Sequence, residues 1–211
     1  MAETGIKIRQ HQHQLIACTA CPDMIPPVVV GAAVDSPVIS IGQAPGDREG
    51  PAGKPFAWTA GKTLFKWFES IGVDEEQYRS HVYMAAVCRC FPGKNPKGGD
   101  RVPSRKEIDH CRGWLDNEFD LLQPQLLIPI GKLAIAQLIA VNRLTDVVGM
   151  IHTVTLPGRE VDVIALPHPS GLSTWHRTEP GKTLLRQALG LIKRHPAWHQ
   201  AFDARLEKEK R

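Results

Sequence analysis

The stretch from residue 38 to residue 56 constrains the fold of this chain more than any other part of the sequence. It opens with residues 38–41, an apolar and mostly β-branched run that is typical of a strand buried on both faces. Residues 42–53 then contain four glycines and two prolines. Because open α/β sheets bind ligands where a strand ends in such a loop, the sequence predicts a pocket for a flat, polar ligand. The side chains available to this pocket are Gln43, Asp47, Glu49 and Phe56.

Short apolar runs alternate with helical patterns along the rest of the chain. We expect strands at 38–42, 82–88, 126–130 and 161–167, and helices at 60–71, 104–122, 131–141 and 180–194. This alternation predicts an α/β fold, a three-layer α/β/α sandwich around a central four-stranded parallel sheet.

A chain of 211 residues buries one ordinary core, so we predict a single domain over residues 1–211. Residues 1–17 are polar, and we expect them to be irregular. Together with 196–211 they are predicted to be peripheral tails. Residues 203–211 mix both charges, which is typical of a solvated helical end.

The charge and hydropathy of the chain narrow the class of partner. The net charge is +4 and the isoelectric point is about 8.9, a mild basic excess that is compatible with a polyanion. There is no signal-peptide pattern and no apolar run approaching membrane-spanning length, so we expect a soluble, cytoplasmic protein without a membrane partner. A monomer is the default expectation.

The five cysteines indicate metal or redox chemistry rather than disulfides. Cys18 and Cys21 form a C-x-x-C pair, and an odd total argues against complete pairing. Cys111 falls on the buried stripe of a helix that Ser104 and Glu107 open as a capping box, so by itself it could be a core cysteine. Four thiolates can hold either zinc or an iron–sulfur cluster, and spacing alone leaves both open.

A second candidate segment follows the fourth predicted strand. His168 lies between two prolines at the strand's carboxyl end, on the same sheet edge as the loop after Gly42. Because such a ring is held stiffly where ligands bind, we predict a functional role for it. The basic loop 91–101 is either a solvated connection or a phosphate-contacting loop. The AGKT and PGKT tetrapeptides at 60–63 and 180–183 are not phosphate loops, because Phe56 and His176 stand where that motif requires glycine.

Three features together resemble the uracil-DNA glycosylase superfamily: GQAPGDREGPAGKPF at 42–56, the cysteine pattern, and HPSGLS at 168–173. Within it, the sequence is most similar to the bacterial and archaeal group with a four-cysteine iron–sulfur cluster, often called family 4. The resemblance spans roughly residues 15–195. Gln43 stands at a glutamate position of the first motif, whereas Pro45, Gly46, Glu49, Pro55 and Phe56 are in register with it.

The resemblance also implies a cofactor. It aligns residues 83–92 without gaps, which makes Cys90 the third cluster ligand and leaves Cys88 over, and the long gap before Cys111 suggests an insertion around 94–100. The implied group is a [4Fe-4S] cluster, with zinc as the alternative, in a structural role because base excision moves no electrons. The implied ligands are Cys18, Cys21, Cys90 and Cys111.

The implied reaction is the hydrolysis of the N-glycosidic bond of a flipped, deaminated base in single-stranded or duplex DNA. Phe56 would stack on the base, and backbone N–H groups near Gln43 and Ala44 would meet its carbonyl oxygens. His168 resembles the residue that stabilises the departing base anion. Glu49, preferred by register, or Asp47 would stabilise the sugar cation and orient water. In the loop Ser170-Gly171-Leu172, Ser170 would hold phosphate and Leu172 would fill the gap left by the base, unless it is an ordinary exposed leucine.

One departure bears on the substrate. Ala86 stands where the family has an asparagine that reads the Watson–Crick edge of uracil. Uracil remains the first expectation, and a glycosylase for another deaminated base such as hypoxanthine is the alternative. Two further hypotheses remain. One is a non-catalytic iron–sulfur DNA-binding protein, and the other is a zinc-stabilised nucleotide-binding module. A lyase step is disfavoured because Lys54 is the only lysine within the pocket motifs.

Overall fold

A computed structural model describes residues 2–171 and 173–206 as helices, strands and the loops that connect them. The strands are β1 (Val38–Gly42), β2 (Tyr83–Ala86), β3 (Leu126–Pro129), β4 (His152–Leu156) and β5 (Arg159–Val163). The helices are α1 (Ala2–Ile16), α2 (Glu49–Ala52), α3 (Thr59–Glu69), α4 (Glu75–His81), α5 (Arg105–Leu122), α6 (Lys132–Ile135), α7 (Gly181–Arg194) and α8 (Pro196–Leu206). Two short 3₁₀ helices cover Leu144–Asp146 and Trp175–Arg177.

The strands form one mixed sheet in the order β2-β1-β3-β5-β4. The four predicted strands are present and parallel, as expected, with Gly42 in register with Ala86 and Ile41 with Pro129. β4 was not predicted. It pairs antiparallel with β5 as an edge strand, and its half-buried and exposed residues alternate. The carboxyl ends of the parallel strands therefore share one edge, as the site prediction requires.

Helices cover both faces of the sheet, which confirms the three-layer prediction. Strand residues alternate between two cores because successive side chains point to opposite faces. On one face Val38, Met84 and Ile128 pack with α3, α4, α7 and α8. On the other, Ile39, Tyr83 and Leu127 pack with α1 and α5.

The amino-terminal segment differs from its prediction, because α1 is a packed helix and not an irregular tail. Ile8 and Leu15 are buried, and so are the polar side chains of His11 and Gln12. Gln12 Nε2 donates to the Tyr83 hydroxyl at 3.2 Å. The sequence pattern concealed this helix because half of its buried face is polar and depends on partners from distant elements.

The carboxyl-terminal segment differs in the same way. Trp198 of α8 is buried and stacks on Phe68 with ring centroids 5.5 Å apart. The predicted helix at 131–141 is shortened to α6, whereas α5 has the predicted capping box at Ser104 and Glu107. None of the helices in the described part of the chain has the length and apolar character needed to span a bilayer.

Candidate active site and cysteine cavity

A cavity of about 650 Å³ opens at the carboxyl edge of the parallel strands. It lies where β1 and β2 end and where the chain leaves β5 towards His168. All but one of the predicted pocket and DNA-contacting residues line it. They are Gln43, Ala44, Asp47, Glu49, Phe56, Ala86, His168, Ser170 and Gly171. Leu172 lies outside the described residues, so its predicted role stays a prediction.

Phe56 is held in an uncommon backbone conformation beneath this cavity. Its φ is +52°, in the left-handed region that non-glycine residues rarely adopt. Its ring lies over the end of β1, where a Cβ on Gly42 would come within 3.2 Å of two ring atoms. The ring therefore forms a wall of the pocket, and a side chain at position 42 would crowd it.

Arg79 of α4 holds the Phe56 backbone from behind. Its guanidinium donates to the carbonyl oxygens of Pro55 at 2.8 Å and Phe56 at 3.1 Å. Its Nε donates to Glu75 at 2.8 Å, and its Cζ lies 4.6 Å from the centroid of the Phe65 ring. A strained backbone conformation persists only where surrounding contacts hold it in place. The hydrogen bonds from Arg79 are such contacts.

Glu49 is the carboxylate most removed from solvent in the pocket. Burial raises its pKa to about 7, and the backbone N–H groups of Phe56 and Gly46 only partly oppose the shift, as does Arg79. Asp100 adds a small upward contribution from across the pocket. Near neutral pH this carboxyl group can therefore exist in either protonation state, which suits a group that exchanges a proton with water.

Asp47 is placed differently from Glu49. It is more exposed and forms an ion pair with Lys94 at 3.1 Å. Lys94 also pairs with Asp100 at 2.8 Å, and an antiparallel bridge between Lys94 and Asp100 closes the 94–100 loop. The suggested insertion thus forms part of the pocket rim. The Lys94 charge is matched by two carboxylates, so this lysine is not a free phosphate ligand.

His168 has a defined tautomer. The Ser170 backbone N–H donates to His168 Nδ1 at 3.2 Å, so in the neutral ring the proton is on Nε2. Burial lowers the pKa of His168, and the Asp100 charge opposes this effect. The ring packs on Gly131, where a Cβ would come within 2.9 Å of His168 Cδ2. The pocket therefore holds a neutral imidazole with an N–H donor.

The base-reading position contributes no polar side chain. Ala86 ends β2 directly beside Gly42, and both residues line the cavity. The nearest amide side chain along this edge is that of Gln43, which makes no hydrogen bond to the protein within the described residues and also lines the cavity.

Sequence reasoning missed Arg79, Asp100 and Trp58. Arg79 lies on a helix that was not predicted. Asp100 lies in the basic loop 91–101, for which the sequence leaves two interpretations, a solvated connection or a phosphate-contacting loop. Trp58 precedes a predicted helix and lines the cavity at its mouth. The loop motif at 42–56 ends two residues before Trp58 and could have indicated it. No local feature of the sequence identifies Arg79 or Asp100.

A second cavity, of about 220 Å³, lies on the other face of the sheet. Cys18, Cys21, Cys90 and Cys111 all line it, together with Arg89 and Trp114. Cys88 does not. It is fully buried behind Cys111, and its hydrogen bond to that sulfur lowers the pKa of Cys111. Within the described residues, no three Cys, His, Asp or Glu side chains surround one point as the ligands of a single metal ion would.

The sequence of this chain is similar to those of several known proteins. The family model described as "Uracil DNA glycosylase superfamily" matches residues 28–190. A "Type-4 uracil-DNA glycosylase" of Archaeoglobus fulgidus is 30% identical over 141 residues, which cover 64% of this chain and 66% of the relative. Another from Thermotoga maritima is 30% identical over 122 residues, 56% of this chain and 59% of the relative.

A more distant relative aligns over a longer range. The "Type-5 uracil-DNA glycosylase" of Pyrobaculum aerophilum is 23% identical over 191 residues, covering 76% of this chain and 81% of the relative. The match to the Archaeoglobus and Thermotoga proteins spans less than two thirds of their own lengths. The similarity to the Type-4 group that the sequence motifs indicated is confirmed.

Proposed function

Because this chain belongs to the uracil DNA glycosylase superfamily, we propose that it excises a deaminated base, uracil first, from DNA by hydrolysing the N-glycosidic bond. The observation that carries the proposal is the meeting of Phe56, Glu49 and His168 in one cavity. They supply a stacking surface, a carboxyl group with a pKa of about 7, and a neutral N–H donor. These are the three groups that the departure of a base anion from a sugar cation requires.

The proposed chemistry begins with the flipped base. Its ring stacks on Phe56, and the backbone N–H groups at Gln43 and Ala44 donate to its carbonyl oxygens. As the glycosidic bond breaks, the electron pair leaves with the base, and His168 Nε2–H donates to the oxygen on which negative charge develops. A neutral ring suffices for this role, because the donor has to stabilise charge and need not give up a proton.

Glu49 acts on the sugar side. In its ionised form it stabilises the cation that develops at the sugar and orients a water molecule towards it. With a pKa of about 7, it can take the proton that this water loses as the new C–O bond forms. Asp47 is the weaker candidate, because Lys94 already neutralises it at the rim. The base anion takes up a proton from solvent, so the products are the free base and an abasic site.

Ser170 and Gly171 support a contact with DNA. Both line the open side of the cavity next to His168. We propose that Ser170 binds a phosphate beside the damaged nucleotide. That Leu172 fills the gap left by the base stays a prediction from the sequence.

We further propose that Cys18, Cys21, Cys90 and Cys111 hold a [4Fe-4S] cluster. The residues fit this group because four thiols line one cavity of about 220 Å³. When bound, the cluster would cross-link the segment after α1, the segment after β2, and α5. No step of the excision uses it.

Hypoxanthine is the second candidate substrate, favoured by Ala86. A methyl group at the base-reading position leaves room for a larger ring and offers no amide. The free Gln43 amide can donate to a carbonyl oxygen and accept from the adjacent ring N–H. Uracil and hypoxanthine share that edge, whereas cytosine and adenine reverse it. Gln43 would therefore distinguish uracil and hypoxanthine from cytosine and adenine, the bases from which deamination produces them.

The test uses purified protein with single-stranded and duplex oligonucleotides that carry one uracil, hypoxanthine or xanthine. Abasic sites are scored by alkaline cleavage for the wild type and His168→Ala, with His13→Ala, an exposed histidine of α1, as the matched control. We expect excision of uracil, and a kcat that falls about 10²–10³-fold in His168→Ala alone. Excision of hypoxanthine only would assign the second candidate. No excision with retained DNA binding would favour a non-catalytic binder.

A further inference from the structure

An exposed tryptophan stands at the mouth of the pocket. Trp58 is the residue before α3, and 53% of it is exposed to solvent. It lines the same cavity as Phe56, two residues away along the chain. A large aromatic surface in water carries a free-energy cost, so its position beside a base-binding pocket suggests a ligand that covers it.

Two cations lie over this ring. Arg48 Cζ lies 5.7 Å and Lys62 Nζ lies 6.0 Å from the centroid of the Trp58 ring. Both side chains are exposed, and within the described residues neither has a carboxylate within ion-pair distance. Several other exposed cations are paired, including Arg105 with Asp109 and Arg112 with Asp116. The charges around Trp58 are therefore available to an anion.

This combination fits one kind of partner. An exposed aromatic face stacks on a nucleobase, and neighbouring cations bind the phosphates on either side of it. In a duplex the faces of the bases are already stacked on their neighbours. A base next to the flipped nucleotide is accessible to Trp58 only where the strand is unpaired or opened.

We infer that Trp58, Arg48 and Lys62 form a binding surface for an unpaired nucleotide that flanks the base in the pocket. The surface gives the protein a preference for single-stranded over duplex DNA. The placement of the flanking nucleotide rests on the proposed function, whereas binding at this surface requires no excision. The surface is continuous with the cavity through Trp58 and Arg48.

The experiment measures binding to undamaged DNA, so that it is independent of turnover. A fluorescently labelled thymidine oligonucleotide, and the same strand in a duplex, are titrated by anisotropy against wild type, Trp58→Ala and Trp58→Phe. Ile151→Ala is the matched control, an exposed apolar residue next to β4 on the far edge of the sheet. We expect Trp58→Ala to weaken single-strand binding about 10-fold and Trp58→Phe to retain part of the affinity. Ile151→Ala should leave the affinity for both oligonucleotides unchanged.

A second arm tests the cations. In the Arg48→Gln/Lys62→Gln variant, the slope of log K against log salt for the single strand should fall by about 0.7 for each charge removed. Thermal unfolding of each variant confirms that the fold persists. Equal weakening of single-strand and duplex binding in Trp58→Ala, or no weakening, would overturn the inference. If the binding results hold and no base is excised, the proposed function fails while the surface stands.

Discussion

At the scale of single residues, the ionisation of Glu49 links burial to chemistry. The pocket places this carboxyl group where desolvation raises its pKa to about 7, close to the pH at which it has to be charged. The neighbouring Asp47 is exposed and forms an ion pair with Lys94. Two carboxylates two positions apart in the sequence thus have different properties because their surroundings differ.

The first prediction concerns the pH dependence of excision. In the proposed mechanism only ionised Glu49 stabilises the sugar cation, and its raised pKa leaves it protonated below about pH 7. We therefore expect kcat to rise about 10-fold per pH unit below that pH and to level off above it. Glu49→Gln should lower kcat by about 10²–10⁴-fold and remove the acidic limb, whereas Asp47→Asn should keep the limb. An unchanged limb in Glu49→Gln would assign the ionisation to another group.

The second prediction concerns Arg79, which acts on the pocket through Phe56. Arg79→Met keeps an apolar stem against Phe65 but removes the donors to the carbonyl oxygens of Pro55 and Phe56. We expect kcat to fall by about 10-fold or more as the ring position relaxes, with millimolar guanidinium restoring part of the activity and Arg79→Lys intermediate.

The control for this variant is Arg105→Met, since Arg105 is exposed and pairs only with Asp109. Full activity in Arg79→Met would contradict the positioning role. A loss that guanidinium does not restore, accompanied by a lower unfolding temperature, would show that Arg79 serves stability alone.

Among the secondary-structure elements, α3 packs closely against the loop that precedes it. A Cβ at Gly61, the third residue of α3, would lie 1.8 Å from the Phe56 carbonyl oxygen. The start of the helix therefore approaches the loop backbone more closely than any side chain permits. This contact, with Arg79 on the other side, fixes where the loop ends and where Phe56 stands.

The third prediction follows from this contact. Alanine normally stabilises a helix interior relative to glycine by about 1 kcal/mol. Gly61→Ala should instead destabilise the protein and reduce excision, because the methyl group forces Phe56 to move. Gly113→Ala in α5, where a Cβ meets nothing within 4 Å, is the matched control and should leave activity unchanged while raising stability slightly. Equal effects of the two substitutions on urea unfolding and on kcat would refute the steric argument.

At the scale of the whole molecule, α5 connects the two cavities. Cys111 lines the cysteine cavity from its middle, and Glu107 near its start accepts two hydrogen bonds from Arg101, which holds the base of the 94–100 loop at the pocket rim. Glu118, farther along α5, is buried with Arg89 and Tyr83. This polar network joins α5 to β2 and, through Gln12, to α1.

The fourth prediction concerns the cysteines as a cross-link of these elements. Cys18→Ser and Cys90→Ser should each lower the iron and sulfide content per chain and the unfolding temperature, because both residues line the cavity. Cys88→Ala, which removes a thiol behind the cavity wall, should retain iron and sulfide. Iron retained in Cys90→Ser but lost in Cys88→Ala would reverse the assignment. Loss of excision in Cys18→Ser with fold and iron content intact would contradict the structural role.

Much of the fold and the site could be predicted from the sequence, and the failures have a common physical origin. The parallel strands, the capped helix α5 and the pocket loop follow from local signals: apolar β-branched runs, a capping box and a dense set of glycines. α1 was missed because its buried His11 and Gln12 find their partners only in the folded molecule. α8 was taken for a tail because the burial of Trp198 depends on a distant helix.

Periodicity and loop chemistry act within a few residues along the chain. They are therefore enough to predict the parallel α/β sheet, the family and the residues that end the strands. Which of these residues meet, and in what electrostatic state, depends on the folded molecule. The tertiary structure placed Glu49 away from water and Asp47 beside Lys94. It left Cys88 outside the cavity that the other four thiols line, and it brought Arg79 and Asp100 to the pocket. Burial and the distance between charges are properties of the folded molecule, and they set the pKa and the role of each group.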